Sequence, residues 1–121
     1  MKILISGGAG FIGSTLVRHL IRHTSHEVIN IDSLAYAGSL ASLEESADDP
    51  RHVFERADIC DARAVADIMV RHRPAAIMHL AAETHVDRSI DDPAVFVRTN
   101  ILGTQTLLEA ARQYWRGLDE V

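Results

Sequence analysis

A glycine-rich turn near the start of the chain restricts the possible folds more than any other sequence feature. The turn, residues 7–13, follows an apolar run at residues 2–6 that is predicted to be a buried strand, and it opens a predicted helix over residues 11–23. Glycines here permit a tight turn, a close approach of the backbone to a pyrophosphate and close packing of the helix on the strand. The helix start then presents free N–H groups and a partial positive charge to phosphates.

The spacing of the glycines fits two dinucleotide-binding patterns. Gly8, Gly10 and Gly13 fit G-x-G-x-x-G, and Gly7 replaces Gly8 in the related pattern G-x-x-G-x-x-G. The glycines alone indicate only a tight strand-to-helix turn. Asp32 strengthens the case, because it lies about 20 residues beyond Gly13 at the predicted end of the second strand. We therefore predict a dinucleotide-binding turn.

The acid at the second strand also predicts which dinucleotide is bound. The carboxylate of Asp32 can accept hydrogen bonds from the adenosine ribose and would repel a 2′-phosphate. Residues 33–50 contain no arginine or lysine that would attract that phosphate. Although an aspartate after a strand can be an ordinary turn or capping residue, its position favours binding of NAD over NADP.

Strands and helices alternate along the chain, which predicts parallel pairing through right-handed crossovers. The near-continuous apolar strands indicate a sheet covered on both faces. We therefore predict an α/β fold, a doubly wound parallel Rossmann-type sheet truncated after about four strands. The predicted strands are residues 2–6, 27–31, 52–55 and 75–80, and the predicted helices are residues 11–23, a helix capped by Asp61 that runs to His72, residues 94–114, and at most a short helix at 40–46.

A complete fold of this kind usually has six or more strands. We therefore expect residues 1–121 to be the N-terminal part of a dinucleotide-binding domain, with the remainder of the domain and any substrate domain lying outside them. The helix at 94–114 has a wide apolar face, and the fourth strand is left with a free edge. Both features predict self-association.

Composition argues against several classes of function. The formal net charge of −5 is unsuited to nucleic acid, and no apolar run approaches a membrane span or a signal peptide. The single cysteine, Cys60, permits no internal disulfide. His85 fits either a site residue or an ordinary loop histidine, and the other six histidines lack the paired spacing of a metal site. We expect a cytoplasmic protein without a metal or a nucleic-acid partner.

Several short segments resemble extended short-chain dehydrogenase/reductases that act on nucleotide sugars, and within that group the dTDP-glucose 4,6-dehydratases. The resemblance implies NAD as cofactor, dTDP-glucose as substrate of the full-length protein, a homodimer, and redox-neutral removal of water to give a 4-keto-6-deoxy sugar. The segments shared with the wider group are the glycine turn, Asp32, Asp58-Ile59 and Leu80-Ala81-Ala82, and those typical of the dehydratases are Tyr36-Ala37-Gly38, residues 82–90, 100–104 and 107–112.

The resemblance also assigns roles to individual residues. The backbone of Phe11 and Ile12 would contact the pyrophosphate, Asp58 and Ile59 would flank the adenine, and Thr84 would also offer its hydroxyl to the sugar substrate. The family often has Lys and Thr where this chain has Ser33 and Ala35, so only main-chain contacts are implied there. The cofactor-binding residues implied are Gly7, Gly10, Phe11, Ile12, Gly13, Asp32, Ser33, Leu34, Ala35, Asp58, Ile59, Leu80, Ala81, Ala82, Glu83, Thr84 and Thr99.

No catalytic residue can be placed in this chain. The resembled family uses a Tyr-x-x-x-Lys pair and a Thr-Asp-Glu triplet, but the only lysine here is Lys2, and neither Tyr36 nor Tyr114 is followed four positions later by lysine. We expect the 121 residues alone to be inactive. Two alternatives remain open. One is the cofactor half of a related epimerase or decarboxylase, against which residues 82–90 argue, and the other is a non-enzymatic dinucleotide-binding module.

Overall fold

Four parallel strands form the centre of the chain. The computed structural model describes residues 1–34, 40–83 and 90–118. Within them the sheet order is β3-β2-β1-β4 and every neighbouring pair is parallel, so the predicted doubly wound sheet is confirmed. The strands are β1 (Lys2–Ser6), β2 (Glu27–Asp32), β3 (His52–Arg56) and β4 (Ala76–His79).

Helices follow or connect the strands. Asp61 caps α2 as predicted, because its side chain accepts a hydrogen bond of 3.1 Å from the N–H of Ala64. No helix among the described residues is long and apolar enough to cross a membrane. The helices are α1 (Phe11–His23), a 3₁₀ helix (Leu40–Ser46), α2 (Ala62–His72), α3 (Pro93–Val97), a π-helical turn (Arg98–Gly103) and α4 (Thr104–Leu118).

The long helix predicted over residues 94–114 begins about where expected, at Pro93, but it is interrupted and ends later than predicted. It widens into the π-helical turn and continues to Leu118. A β-carbon at Gly103 would lie 2.6 Å from Cδ1 of Ile59, so the turn passes very close to the residues after β3. That tertiary contact has no periodic signature in the sequence.

The hydrophobic core lies on both faces of the sheet, because alternate residues of each strand point to opposite sides. One cluster packs beneath α2 and α4, and the other beneath α1 and the 3₁₀ helix. The first comprises Leu4, Ile29, Ile31, Ile59, Val65, Ile68, Met69, Leu107 and Ala110, and the second Ile3, Ile5, Ala9, Val17, Leu20, Ile21, Val28 and Leu43.

Two expectations about burial are corrected by the structure. The strand at 75–80 was expected to be covered on both faces, but Met78 is 41% exposed, because β4 is an edge strand. The apolar spacing within residues 11–23 also predicts an inward face of α1 formed by Ile12, Leu16, Leu20 and Ile21, yet Ile12 is 68% exposed. Val17, further along the helix, is fully buried instead.

Candidate functional site

The segments predicted to bind a cofactor meet at one edge of the sheet. The chain passes from β1 to β2 to β3 on one side of β1 and then crosses to β4 on the other side. The carboxyl ends of β1 and β4 therefore flank the point at which the strand order reverses, where open α/β sheets form their binding crevice. The glycine turn follows β1, and residues 80–83 follow β4.

The glycine turn packs directly against the segment after β4. Gly7 has a φ of 75°, a conformation that favours glycine, and a β-carbon there would lie 2.6 Å from the backbone nitrogen of Ala81. A β-carbon at Gly13 would lie 2.0 Å from the carbonyl oxygen of Gly7. These two glycines are thus required by backbone packing alone.

The start of α1 is open to an anion. Gly10 is the N-cap and supplies no side-chain cap, and the first turn contains no acidic residue. Phe11 is 86% exposed, and Ile12 follows it on the surface. The first N–H groups of a helix have no partner within the helix, so this end offers donors and a partial positive charge.

Asp32 is held in place by the backbone around it. Its Oδ2 accepts a hydrogen bond of 3.0 Å from the N–H of Ala9, and its Oδ1 accepts one of 2.7 Å from the N–H of Leu34. Leu34 has a φ of 59°, which is rare for a residue other than glycine and typical of functional sites. Because a carboxylate has about four acceptor positions, Asp32 retains acceptor capacity for a ligand.

Asp58 forms the rim of the site at the end of β3. Its Oδ1 accepts from the N–H of Cys60 at 2.9 Å, and its Oδ2 accepts from Nη1 of Arg98 at 2.8 Å. Burial raises the pKa of Asp58, but the hydrogen bonds from Arg98 and Cys60 outweigh it and hold the pKa below its usual range. At the rim of the site, Asp58 therefore links the end of β3 to the π-helical turn.

An asparagine in the π-helical turn holds the segment after β4. The side chain of Asn100 accepts from the N–H of Glu83 at 2.8 Å and donates to the carbonyl of Glu83 at 3.1 Å. Asn100 belongs to a segment that resembles the dehydratases, but the sequence alone predicted no role for it. An asparagine and a glycine in the middle of a predicted helix, both poor helix formers, were the available signal.

His79 connects β1 to α4. Its Nδ1 lies 2.5 Å from Oγ of Ser6, and its Nε2 lies 2.8 Å from Oγ1 of Thr104. Thr104 donates to the carbonyl of Asn100, so Nε2 of His79 must carry the proton and Nδ1 accepts from Ser6. Partial desolvation of its ring lowers the pKa of His79, in keeping with this neutral tautomer.

The side chains of the remaining predicted residues differ in how exposed they are. The side chain of Ile59 is buried in the core, so only its main chain could face a ligand. Ser33 and Ala82 are exposed, and Thr99 is half-buried in the π-helical turn. The predictions for Ala35 and Thr84 lie outside the described residues. Within residues 1–34, 40–83 and 90–118, no three His, Cys, Asp or Glu side chains gather as a metal site would require.

The fold and this site define an α/β protein of Rossmann type, with its glycine turn at the reversal of strand order. A family model described as GDP-mannose 4,6 dehydratase matches residues 4–120, and the chain belongs to that family. The chain is 61% identical over 119 residues to dTDP-glucose 4,6-dehydratase 1 of Escherichia coli K12, covering 98% of this chain and 33% of that protein. The dTDP-glucose 4,6-dehydratase of Haemophilus influenzae is 56% identical, covering 99% and 36%.

Solved structures have the same architecture. DesIV, a dTDP-glucose 4,6-dehydratase of Streptomyces venezuelae solved with NAD and TYD bound, superposes with a TM-score of 0.89 at 47% identity, covering 94% of this chain and 36% of that one. A UDP-glucose 4-epimerase of Thermotoga maritima superposes with a TM-score of 0.84 at 38% identity, covering 94% and 35%. The predicted resemblance to the dehydratases is confirmed. The chain spans about a third of the length of the relatives it matches.

Proposed function

We propose that residues 1–121 form the N-terminal part of the NAD-binding domain of a dTDP-glucose 4,6-dehydratase. The whole protein would remove water from dTDP-glucose to give dTDP-4-keto-6-deoxyglucose. We further propose that it acts in the cytoplasm as a homodimer, like the family that the sequence resembles. The high identity to several dehydratases, 56–61% in the relatives named above, supports this choice over other nucleotide-sugar enzymes.

The observation that carries the proposal is the arrangement at the strand ends. An uncapped helix start, a carboxylate fixed by two backbone N–H groups and a second carboxylate at the end of β3 lie along one sheet edge. A dinucleotide has matching parts in the same order, namely a pyrophosphate, a ribose with two hydroxyls and an adenine with an exocyclic amine. The described residues therefore fit NAD.

Each group at the site has one task in this proposal. The N–H groups at the start of α1 bind the pyrophosphate, Asp32 accepts from the adenosine ribose, and Asp58 accepts from the adenine amine. Residues 80–83, fixed by Asn100, line the nicotinamide side. When bound, NAD would supply a hydride acceptor for the sugar and return that hydride later in the reaction. Thr84 is proposed to meet the sugar with its hydroxyl.

Calorimetric titration with NAD, NADP and ADP-ribose tests the cofactor assignment. We expect NAD to bind more tightly than NADP, and ADP-ribose to retain most of the affinity, because the described contacts serve the adenosine and pyrophosphate. Asp67→Ala is a suitable control, since Asp67 is an exposed carboxylate further along α2 that pairs with Arg71. NADP binding as tight as NAD, or no dinucleotide binding at all, would contradict the proposal.

A chimera tests the substrate assignment. Residues 1–120 of this chain would replace the matching segment of the E. coli relative, which is 61% identical. We expect the chimera to convert dTDP-glucose and to leave UDP-glucose unepimerised. The same replacement in the Thermotoga epimerase, whose fold is similar, tests the alternative. An active epimerase chimera together with an inactive dehydratase chimera would favour the epimerase.

A further inference from the structure

Two hydrogen bonds attach the glycine turn to the carboxyl end of β2. The N–H of Gly7 donates to the carbonyl of Ile31 at 2.8 Å, and the N–H of Ala9 donates to the carboxylate of Asp32 at 3.0 Å. Neither hydrogen bond involves Gly8, which lies between Gly7 and Ala9. The turn is thus anchored to β2 on both sides of Gly8.

Gly8 rests instead on the side chain of Asn30. A β-carbon at Gly8 would lie 2.0 Å from Oδ1 and 2.7 Å from Nδ2 of Asn30, so the amide fills the space that a side chain at position 8 would need. Asn30 lies on β2 two residues before Asp32, on the same face of the sheet. That face is the one covered by α1, because Val28 and Ile5 belong to its cluster.

The amide of Asn30 is fully buried and has no hydrogen-bond partner among the described residues. A buried amide without a partner destabilises the folded state, so a polar residue at this position needs a reason other than stability. Such departures from the stable arrangement of polar groups are typical of functional sites.

Gly8 differs from the other glycines of the turn in what requires it. Gly7 has a positive φ and abuts the backbone of Ala81, and Gly13 abuts the backbone of Gly7. Gly8 has no positive φ, and its nearest neighbours are all atoms of one side chain. Its lack of a side chain is therefore explained by Asn30 rather than by backbone conformation.

We propose that Asn30 is a positioning residue for the dinucleotide site. Its amide supports Gly8 and thereby fixes the distance of the turn from the sheet, so that the N–H groups at the start of α1 are placed for the pyrophosphate. The functional half of this inference rests on the proposed binding of NAD. Its structural half, that Gly8 and Asn30 are coupled, does not.

A double-mutant cycle in the free protein tests the structural half. Gly8→Ala alone should lower the Tm by about 4 °C or more, because the new β-carbon overlaps the amide. In the Asn30→Ala background the same change should cost little, because the methyl group occupies the space left by the amide. Gly13→Ala is the matched control, since its β-carbon meets the backbone of Gly7, and Asn30→Ala should not rescue it.

Ligand titrations test the functional half. Asn30→Ala should weaken NAD binding by about tenfold. Adenosine, which has no pyrophosphate and whose binding is followed by NMR, should bind the variant and the unaltered protein equally. Val28→Ala controls for general loss of core packing, because Val28 is fully buried on the same face of β2 but further from the turn. It should lower the Tm and leave NAD affinity unchanged.

The outcomes separate the two claims. A Gly8→Ala penalty that is the same in both backgrounds would overturn the coupling. Coupling with unchanged NAD affinity in Asn30→Ala, or with equal losses for NAD and adenosine, would overturn the positioning role. If the unaltered protein binds neither NAD nor adenosine, the proposed function fails and the positioning role fails with it, while the cycle still decides the coupling.

Discussion

At the scale of single residues, the site depends on side chains whose hydrogen bonds to the backbone hold it in place without a ligand. Asp32 holds the N–H groups of Ala9 and Leu34, and Asn100 holds both main-chain groups of Glu83. These bonds fix the turn and the segment after β4 at the two sides of the crevice. Substitutions here should therefore change affinity through the backbone as well as through lost contacts.

Asp32→Ala should narrow the preference for NAD over NADP by about tenfold, because a hydrogen bond to a charged group is worth roughly 1.5 kcal/mol and the repulsion of the 2′-phosphate also disappears. The ratio of the two dissociation constants measures this, and it cancels any general loosening of the turn. Asp67→Ala, on the exposed face of α2, should leave the ratio unchanged. A preference that survives Asp32→Ala would place the discrimination elsewhere.

Protonation of His79 should destabilise the folded chain in acid. Since burial lowers its pKa below the ordinary 6.5, the unfolded chain binds the proton more readily than the folded one. Stability is therefore complete above about pH 6.5 and falls as the pH drops below it. His79→Gln does not titrate, so its melting temperature should fall less between pH 7.5 and pH 5.

His52 provides a second test of the same effect, because burial also lowers its pKa. His52→Gln should remove a separate part of the same acid dependence, and the two variants together should remove more than either alone. A wild-type melting profile that stays parallel to that of His79→Gln over the acidic range would show that folding does not lower the pKa of His79.

At the scale of elements, the sequence predicted the strands and short helices well and the long helix poorly. Alternating apolar runs and an aspartate cap are local signals, and β1, β2, α1 and α2 have almost the predicted bounds. The π-helical turn depends on contacts with Ile59 and Glu83, which are distant in sequence. The support of Gly8 by Asn30 was likewise invisible, because a polar residue inside an apolar strand shows nothing of what it faces.

The π-helical turn should control the order of the segment after β4. Asn100→Ala removes both bonds to Glu83, so the amide proton of Glu83 should exchange faster with solvent by about tenfold, as expected for a net loss of about 1.4 kcal/mol. NAD affinity should fall with it. Ile101→Ala, in the same turn and 64% exposed, is the control. Unchanged exchange at Glu83 would mean that another contact holds the segment.

At the scale of the whole molecule, apolar side chains are exposed on the edge strand and on the helices that follow it. Met78 on the edge strand and Leu108 on α4 are 41% and 65% exposed, and Val97, Ile101, Leu102 and Trp115 are also open to solvent. An edge strand and exposed apolar helix surface each favour association. The sequence predicted this surface from the width of the helix face, and the exposure of these residues agrees with it.

The 121-residue chain should self-associate with rising concentration. Light scattering coupled to size-exclusion chromatography across a dilution series measures the mass. Leu108→Glu should shift the distribution towards monomer, whereas Val70→Glu, on α2 and 67% exposed, should not. A monomer of constant mass at every concentration would show that this apolar surface does not drive assembly.

The 121-residue chain should also produce no 4-keto-6-deoxy sugar from dTDP-glucose and NAD. It contains one lysine, Lys2 in β1, and no Tyr-x-x-x-Lys pair to act on the sugar. Incubation followed by chromatography of the nucleotide sugars measures the product, with the E. coli relative as positive control. Product above background from purified chain would mean that other residues perform the chemistry.

Two junctions hold the helical segment after β4 to the sheet, and they respond to different properties of the solvent. The Asp58–Arg98 pair joins the π-helical turn to the end of β3 by opposite charges on side chains that are 44% and 56% exposed, so added salt screens it. The Ser6–His79–Thr104 chain joins the start of α4 to β1 through uncharged groups, which salt screens little. Ionic strength should therefore loosen the proposed adenine side of the crevice and acid the proposed nicotinamide side, so that each half can be relaxed while the other stays fixed.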